Sequence, residues 1–144
     1  MRNTSQHNIY SAERERIKMG SSFTQFRDHG FWSRDHFLEG WLDVLAAECM
    51  KHMPALPWLE AACKHWELQA TGIFNGCVHA KLDEFLTDEE RVSFIISISE
   101  RVKDRFPQDH PLNQTGDLFV RLLKGELTTD ASSPLDYIIS YPRT

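Results

Sequence analysis

Apolar residues recur at steps of three, four and one through most of this chain, the period of a helix with one buried face. From Ser33 onward they fall at Phe37, Leu38, Trp41, Leu42, Leu45, Cys49 and Met53. That run predicts a long first helix with Ser33 as its N-cap and Asp35 in its first turn, stopped by Pro54 and Pro57. Pro57 also suits the first position of a second helix, where its missing N–H costs nothing. Trp58, Leu59, Ala62, Cys63, Trp66, Ala70 and Ile73 form the apolar face of that helix, and either Gly72 or Asn75-Gly76 ends it.

A short third helix is expected from about Cys77 to Leu86, on Val78, Leu82, Phe85 and Leu86. Thr87-Asp88-Glu89-Glu90 then has the form of a capping box, with the Thr87 oxygen on one free amide and Glu90 reaching back. It opens a fourth helix that runs through Val92, Ile95, Ile96, Ser99 and Val102 to about Phe106, where Pro107 closes it. Arg101, Lys103 and Arg105 suit the negative end of its dipole. After a loop at 107–111, a fifth helix is expected from about Thr115 to Lys124, with Gly125 just past its end. Residues 128–133 read as another loop. Leu135, Ile138 and Ile139 fit either a helical turn begun at Ser133-Pro134 or an extended piece.

No alternating strand pattern with hairpin punctuation stands out. The expected fold is therefore all-α, a single-domain bundle of five to seven helices over residues 23–144. Residues 1–22 read as a flexible polar extension, with Gly20-Ser21-Ser22 as its linker.

Composition supports one ordinary domain with a real core, since 41% of the 144 residues are hydrophobic and 26% charged. A net charge of −5 argues against a general nucleic-acid binder. A helix-turn-helix drawn from the third and fourth helices would begin its second helix with Asp88-Glu89-Glu90, the wrong sign for phosphates. No apolar stretch is long enough for a secretory signal or a membrane span. Three cysteines are too few, and odd in number, for a disulfide framework. Cytoplasmic location is expected, with neither nucleic acid nor membrane as partner.

The chemistry-bearing motifs are mostly absent. There is no dinucleotide or phosphate loop, no H-E-x-x-H, no G-x-S-x-G and no Cys-x-x-Cys, so no catalytic residue or cofactor is assigned and an enzyme is not favoured. Ser33, Asp35 and His36 at a helix start read as capping rather than as a triad. Each cysteine has a histidine close behind it: Cys49 and His52, Cys63 and His65, Cys77 and His79. Only Cys49 and His52 share a helix face. The cysteines read first as small core hydrophobes, with no metal ligand assigned. A metal- or cofactor-binding bundle built on Cys49 and His52 is the alternative. His36 with Glu39 and Glu48 with His52 read as ordinary surface pairs.

Two features point to a partner. All four tryptophans lie in 23–66 beside Phe23, Phe26, Phe31 and Phe37, and Trp32 is the ring least committed to the helical pattern. Asp83, Glu84, Asp88, Glu89 and Glu90 make an acidic cluster suited to a basic protein. The expected function is a protein-binding module, in its most specific form an immunity- or antitoxin-like inhibitor of an enzyme. Trp32, Asp83, Glu84, Asp88 and Glu89 are its partner-binding candidates. A homo-oligomer that buries its aromatic surface between copies is a further alternative.

Overall fold

The computed structural model describes residues 21–52, 56–72 and 77–127. Within the described residues a hairpin, β1 (Ser21–Phe26) and β2 (His29–Arg34), is followed by five helices. These are α1 (Asp35–His52), α2 (Pro57–Gln69), α3 (Leu82–Phe85, a single turn), α4 (Glu89–Lys103) and α5 (Pro111–Leu123). The fold is mostly helical with a two-stranded sheet, which corrects the all-α expectation. Ser21 and Ser22, read as linker, belong to β1, and Ser22 is buried.

The hairpin pairs antiparallel from Ser21 with Arg34 to Phe26 with His29. Its two-residue turn, Arg27-Asp28, has positive φ at both positions (50° and 72°), as a type I′ turn requires. That turn favours Asn-Gly or Asp-Gly, and Arg-Asp carries no such signal, so the hairpin is silent in the sequence. Ser22, Thr24, Phe26, Phe31 and Ser33 line its buried face, and the polar residues among them break the apolar alternation. On the other face Phe23 lies over Gly30, where any Cβ would run into the Phe23 ring and the Thr24 carbonyl.

Ser33 is therefore a strand residue, not the cap of α1, and its buried hydroxyl finds no partner among the described residues. Asp35 opens the helix instead, and its carboxylate accepts a hydrogen bond from Ser22 Oγ at 2.6 Å. The same hydroxyl accepts from the Val78 amide at 2.9 Å, which ties the hairpin to a distant segment.

α1 is the central helix. It packs on α2 at one side and on α4 and α5 at another, while α5 also reaches both strands. Leu38, Trp41, Leu42, Leu45, Ala46 and Cys49 on α1 are fully buried, in the spacing the sequence predicts. Burying each leucine contributes about 1.5–3 kcal/mol. Gly116 on α5 sits where a Cβ would strike the Trp41 ring and Lys103 Cβ, so its missing side chain sets the close approach of α5 to α1 and α4.

The third helix shrinks to one turn because residues 77–81 are not helical, and Lys81, just before that turn, is left-handed (φ 53°). Side chains of α2 hold that segment: Trp66 Nε1 donates to the Ala80 carbonyl (2.7 Å), His65 Nε2 to the His79 carbonyl (2.7 Å), and Gln69 Oε1 accepts from the His79 amide (2.8 Å). A helix there would have to give up all of these bonds. α4 is capped by Asp88, whose carboxylate accepts from the Arg91 amide at 2.9 Å, one residue later than the expected Thr87 box. α5 starts at Pro111, four residues before the expected Thr115. His110 Nδ1 accepts from the Leu112 amide (3.0 Å), and Asn113 Nδ2 donates to the carbonyls of Lys103 and Phe106 at the end of α4.

The expected helix ends at Met53 and Ile73, and everything read beyond residue 127, lie outside the described residues. Among the described residues, no helix is long and apolar enough to cross a membrane.

Candidate functional site

The hairpin tip docks on the acidic cluster. Arg27 occupies the left-handed region, which disfavours a side chain. Three contacts hold it there. Its amide donates to Asp83 Oδ1 at 3.0 Å, its guanidinium pairs with Glu89 at 2.8 Å, and the same guanidinium lies 4.6 Å from the Phe26 ring centre. Asp83 and Glu89, both partner-binding candidates, are thus internal anchors of the turn. Asp88 is spent on the helix cap, with Arg91 at 3.7 Å, and Glu84 has a long contact of 3.9 Å to Lys81.

Six acids gather at this end: Asp28, Asp83, Glu84, Asp88, Glu89 and Glu90. Facing them are Arg27, Lys81 and Arg91. Asp28 and Glu90 are exposed and make no ion pair among the described residues. Beside this surface an open cleft of about 260 Å³ runs between the hairpin tip, the first half of α4 and the end of α5. Phe26, Val92, Ile96 and Leu122 give it apolar walls, with Arg27, Glu89 and Lys124 at its edges. Lys124 is itself held by Glu100 at 2.8 Å, a contact that raises its pKa.

Trp32 lies elsewhere on the hairpin. It is half-buried on the outward face, 5.4 Å from the Phe23 ring and three residues along β2 from the tip, about 10 Å away. The structure thus brings the four acidic candidates together and leaves Trp32 apart. The aromatic segment is otherwise interior: Trp41 and Trp66 are fully buried, while Phe23, Phe37 and Trp58 are partly buried against the core. Leu68 is the large apolar side chain left exposed among the described residues.

Within the cysteine–histidine pairs, contacts are shown for the side chains of Cys49, Cys63, His52 and His65. No group of three or more metal-ligating side chains occurs among the described residues. Cys49 on α1 and Cys63 on α2 are buried neighbours, and the Cys63 thiol together with burial holds Cys49 protonated well above the ordinary thiol range. His52 turns to Glu48, and His65 serves the 77–80 segment.

A second charged centre, larger in effect than its surface pair suggests, surrounds Glu48. Only 7% of that side chain is exposed. It meets Arg105 at 2.6 Å, His52 at 2.8 Å and Lys51 at 3.7 Å. Arg105 first, then His52, hold its carboxyl down at about 2, against the opposing effect of burial. The sequence shows only the His52 and Lys51 spacing. Arg105 comes from the turn after α4 and carries no signal of the contact.

Comparison with protein-family models, with curated proteins and with solved structures finds no match to this chain.

Proposed function

We propose that the protein is a binding module whose hairpin-tip end receives a partner protein with a basic surface. The observation that carries this reading is the excess of negative charge at that end, on either side of a strained turn, next to an open cleft with apolar walls. Charge complementarity would steer a basic partner to Asp28, Glu84 and Glu90, which are free of structural duties that the fold needs. An apolar side chain of the partner would enter the cleft against Ile96, the part-exposed residue of its apolar wall. Inhibition of an enzyme by occlusion, as immunity proteins and antitoxins do, is the specific form we propose. The three free thiols suit a reducing compartment, and we place its action in the cytoplasm.

The test compares the wild-type chain with a D28N/E84Q/E90Q variant. These substitutions remove three charges and leave the Arg27 anchors, Asp83 and Glu89, in place. A protein that binds wild type stoichiometrically, with affinity falling as salt rises, should bind the variant about tenfold or more weakly. Equal binding of the same protein to both would remove the acidic face from the account.

A further inference from the structure

At the opposite end of α4, about 22 Å from Asp88 along a helix of 15 residues, cations outnumber anions. Lys51 arrives from the end of α1 with His52 beside it, Arg101 from the last turn of α4, and Arg105 from the turn just after it. One carboxylate, Glu48, serves this group. The neighbouring acids in the chain are engaged elsewhere, Glu100 with Lys124 at 2.8 Å and Asp104 with Lys103 at 3.3 Å.

Among the described residues, Arg101 is the cation this arrangement leaves without a counterion. Its Nη2 lies 3.4 Å from His52 Nε2. That nitrogen also faces Glu48 Oε2 at 2.8 Å, and an ionised carboxylate accepts only, so the proton sits on Nε2. The guanidinium therefore meets another donor instead of a lone pair. Among the described residues Arg101 makes no ion pair. Glu48 remains ionised down to strongly acid pH, so it keeps Arg105, His52 and Lys51 oriented and does not take a proton when a further anion arrives.

We propose that Arg101, together with Lys51 and the solvent-facing edge of Arg105, forms a receiving site for an oxyanion of the phosphoryl class. Guanidinium groups present paired N–H donors that match two oxygens of such a group. Arg101 and Lys51 are exposed, and half of the Arg105 side chain is accessible, so the anion binds at the surface without displacing Glu48. Glu48 is here a positioning residue, fixing the cations that the ligand meets. The inference is independent of the acidic face, because it uses none of its residues.

The experiment titrates the full chain with inorganic phosphate and, separately, pyrophosphate at constant ionic strength. Backbone and arginine side-chain NMR shifts provide the readout. Saturable shifts at 51–52 and 101–105, tighter for pyrophosphate than for phosphate, are expected. Arg101→Gln, which removes the charge and the paired donors, should weaken binding about tenfold or more while leaving the unfolding midpoint unchanged. Shifts that never saturate, saturation unaffected by Arg101→Gln, or a response centred on Arg27 and Lys124 would each overturn the proposal.

Discussion

The two ends of α4 solve the same electrostatic problem in opposite ways. At its start, acids are plentiful and exposed, and the structure uses them one bond at a time: Asp88 on the Arg91 amide, Asp83 on the Arg27 amide, Glu89 on the Arg27 guanidinium. At its finish a single buried carboxylate organises several cations. Exposed pairs contribute little, because water screens them and side-chain entropy opposes them. A buried carboxylate has no such alternative to its partners, so its neighbours are bound strongly. The same helix thus has one end rich in spare charge and cheap to alter, and another whose centre is costly to disturb.

The largest test of that contrast is Glu48. A carboxyl held at about 2 rather than 4.5 contributes about 3 kcal/mol to stability. Because the folded-state value is the lower one, this contribution is complete above the unfolded value and is lost as pH falls from about 4.5 through about 2. Denaturant unfolding of Glu48→Gln should show a loss of about 3 kcal/mol at neutral pH. Its stability should also decline less than that of wild type across the acid range. A variant as stable as wild type would make the Glu48 centre equivalent to the exposed pairs.

At the acidic end the expected losses are smaller. Asp88→Ala should cost about 1 kcal/mol, the worth of an N-cap, whereas Thr87→Ala should be nearly neutral. The reverse order would restore the cap to Thr87. Smaller still is Arg27→Gly, which relieves left-handed strain but gives up an exposed ion pair, two effects of about 1 kcal/mol that oppose each other. Thermal unfolding should therefore shift by only a few degrees in either direction. A collapse of the hairpin in that variant would show that the Glu89 contact, not the backbone bond to Asp83, holds the tip.

The helices were legible wherever local chemistry and the core agreed. The apolar stripe of α1, Pro57 at the start of α2 and the basic end of α4 are local properties, and the structure keeps them. The acidic cluster was visible as composition, although which of its members are free could not be read from spacing. The hairpin was invisible because its turn lacks glycine and its inward face mixes Ser and Thr with Phe. What stabilises it comes from far along the chain: Asp83 on the turn, Val78 on Ser22.

The sequence by itself determined that the chain is a mostly helical domain with an aromatic-rich core, because periodicity, caps and proline positions act within a few residues. The tertiary structure alone decided that 77–81 is held out of a helix, that Arg27 turns left-handed against the acids, and that Arg105 meets Glu48. Each of these depends on groups distant in sequence supplying a hydrogen bond or a charge, and a one-dimensional pattern holds no record of which distant groups meet.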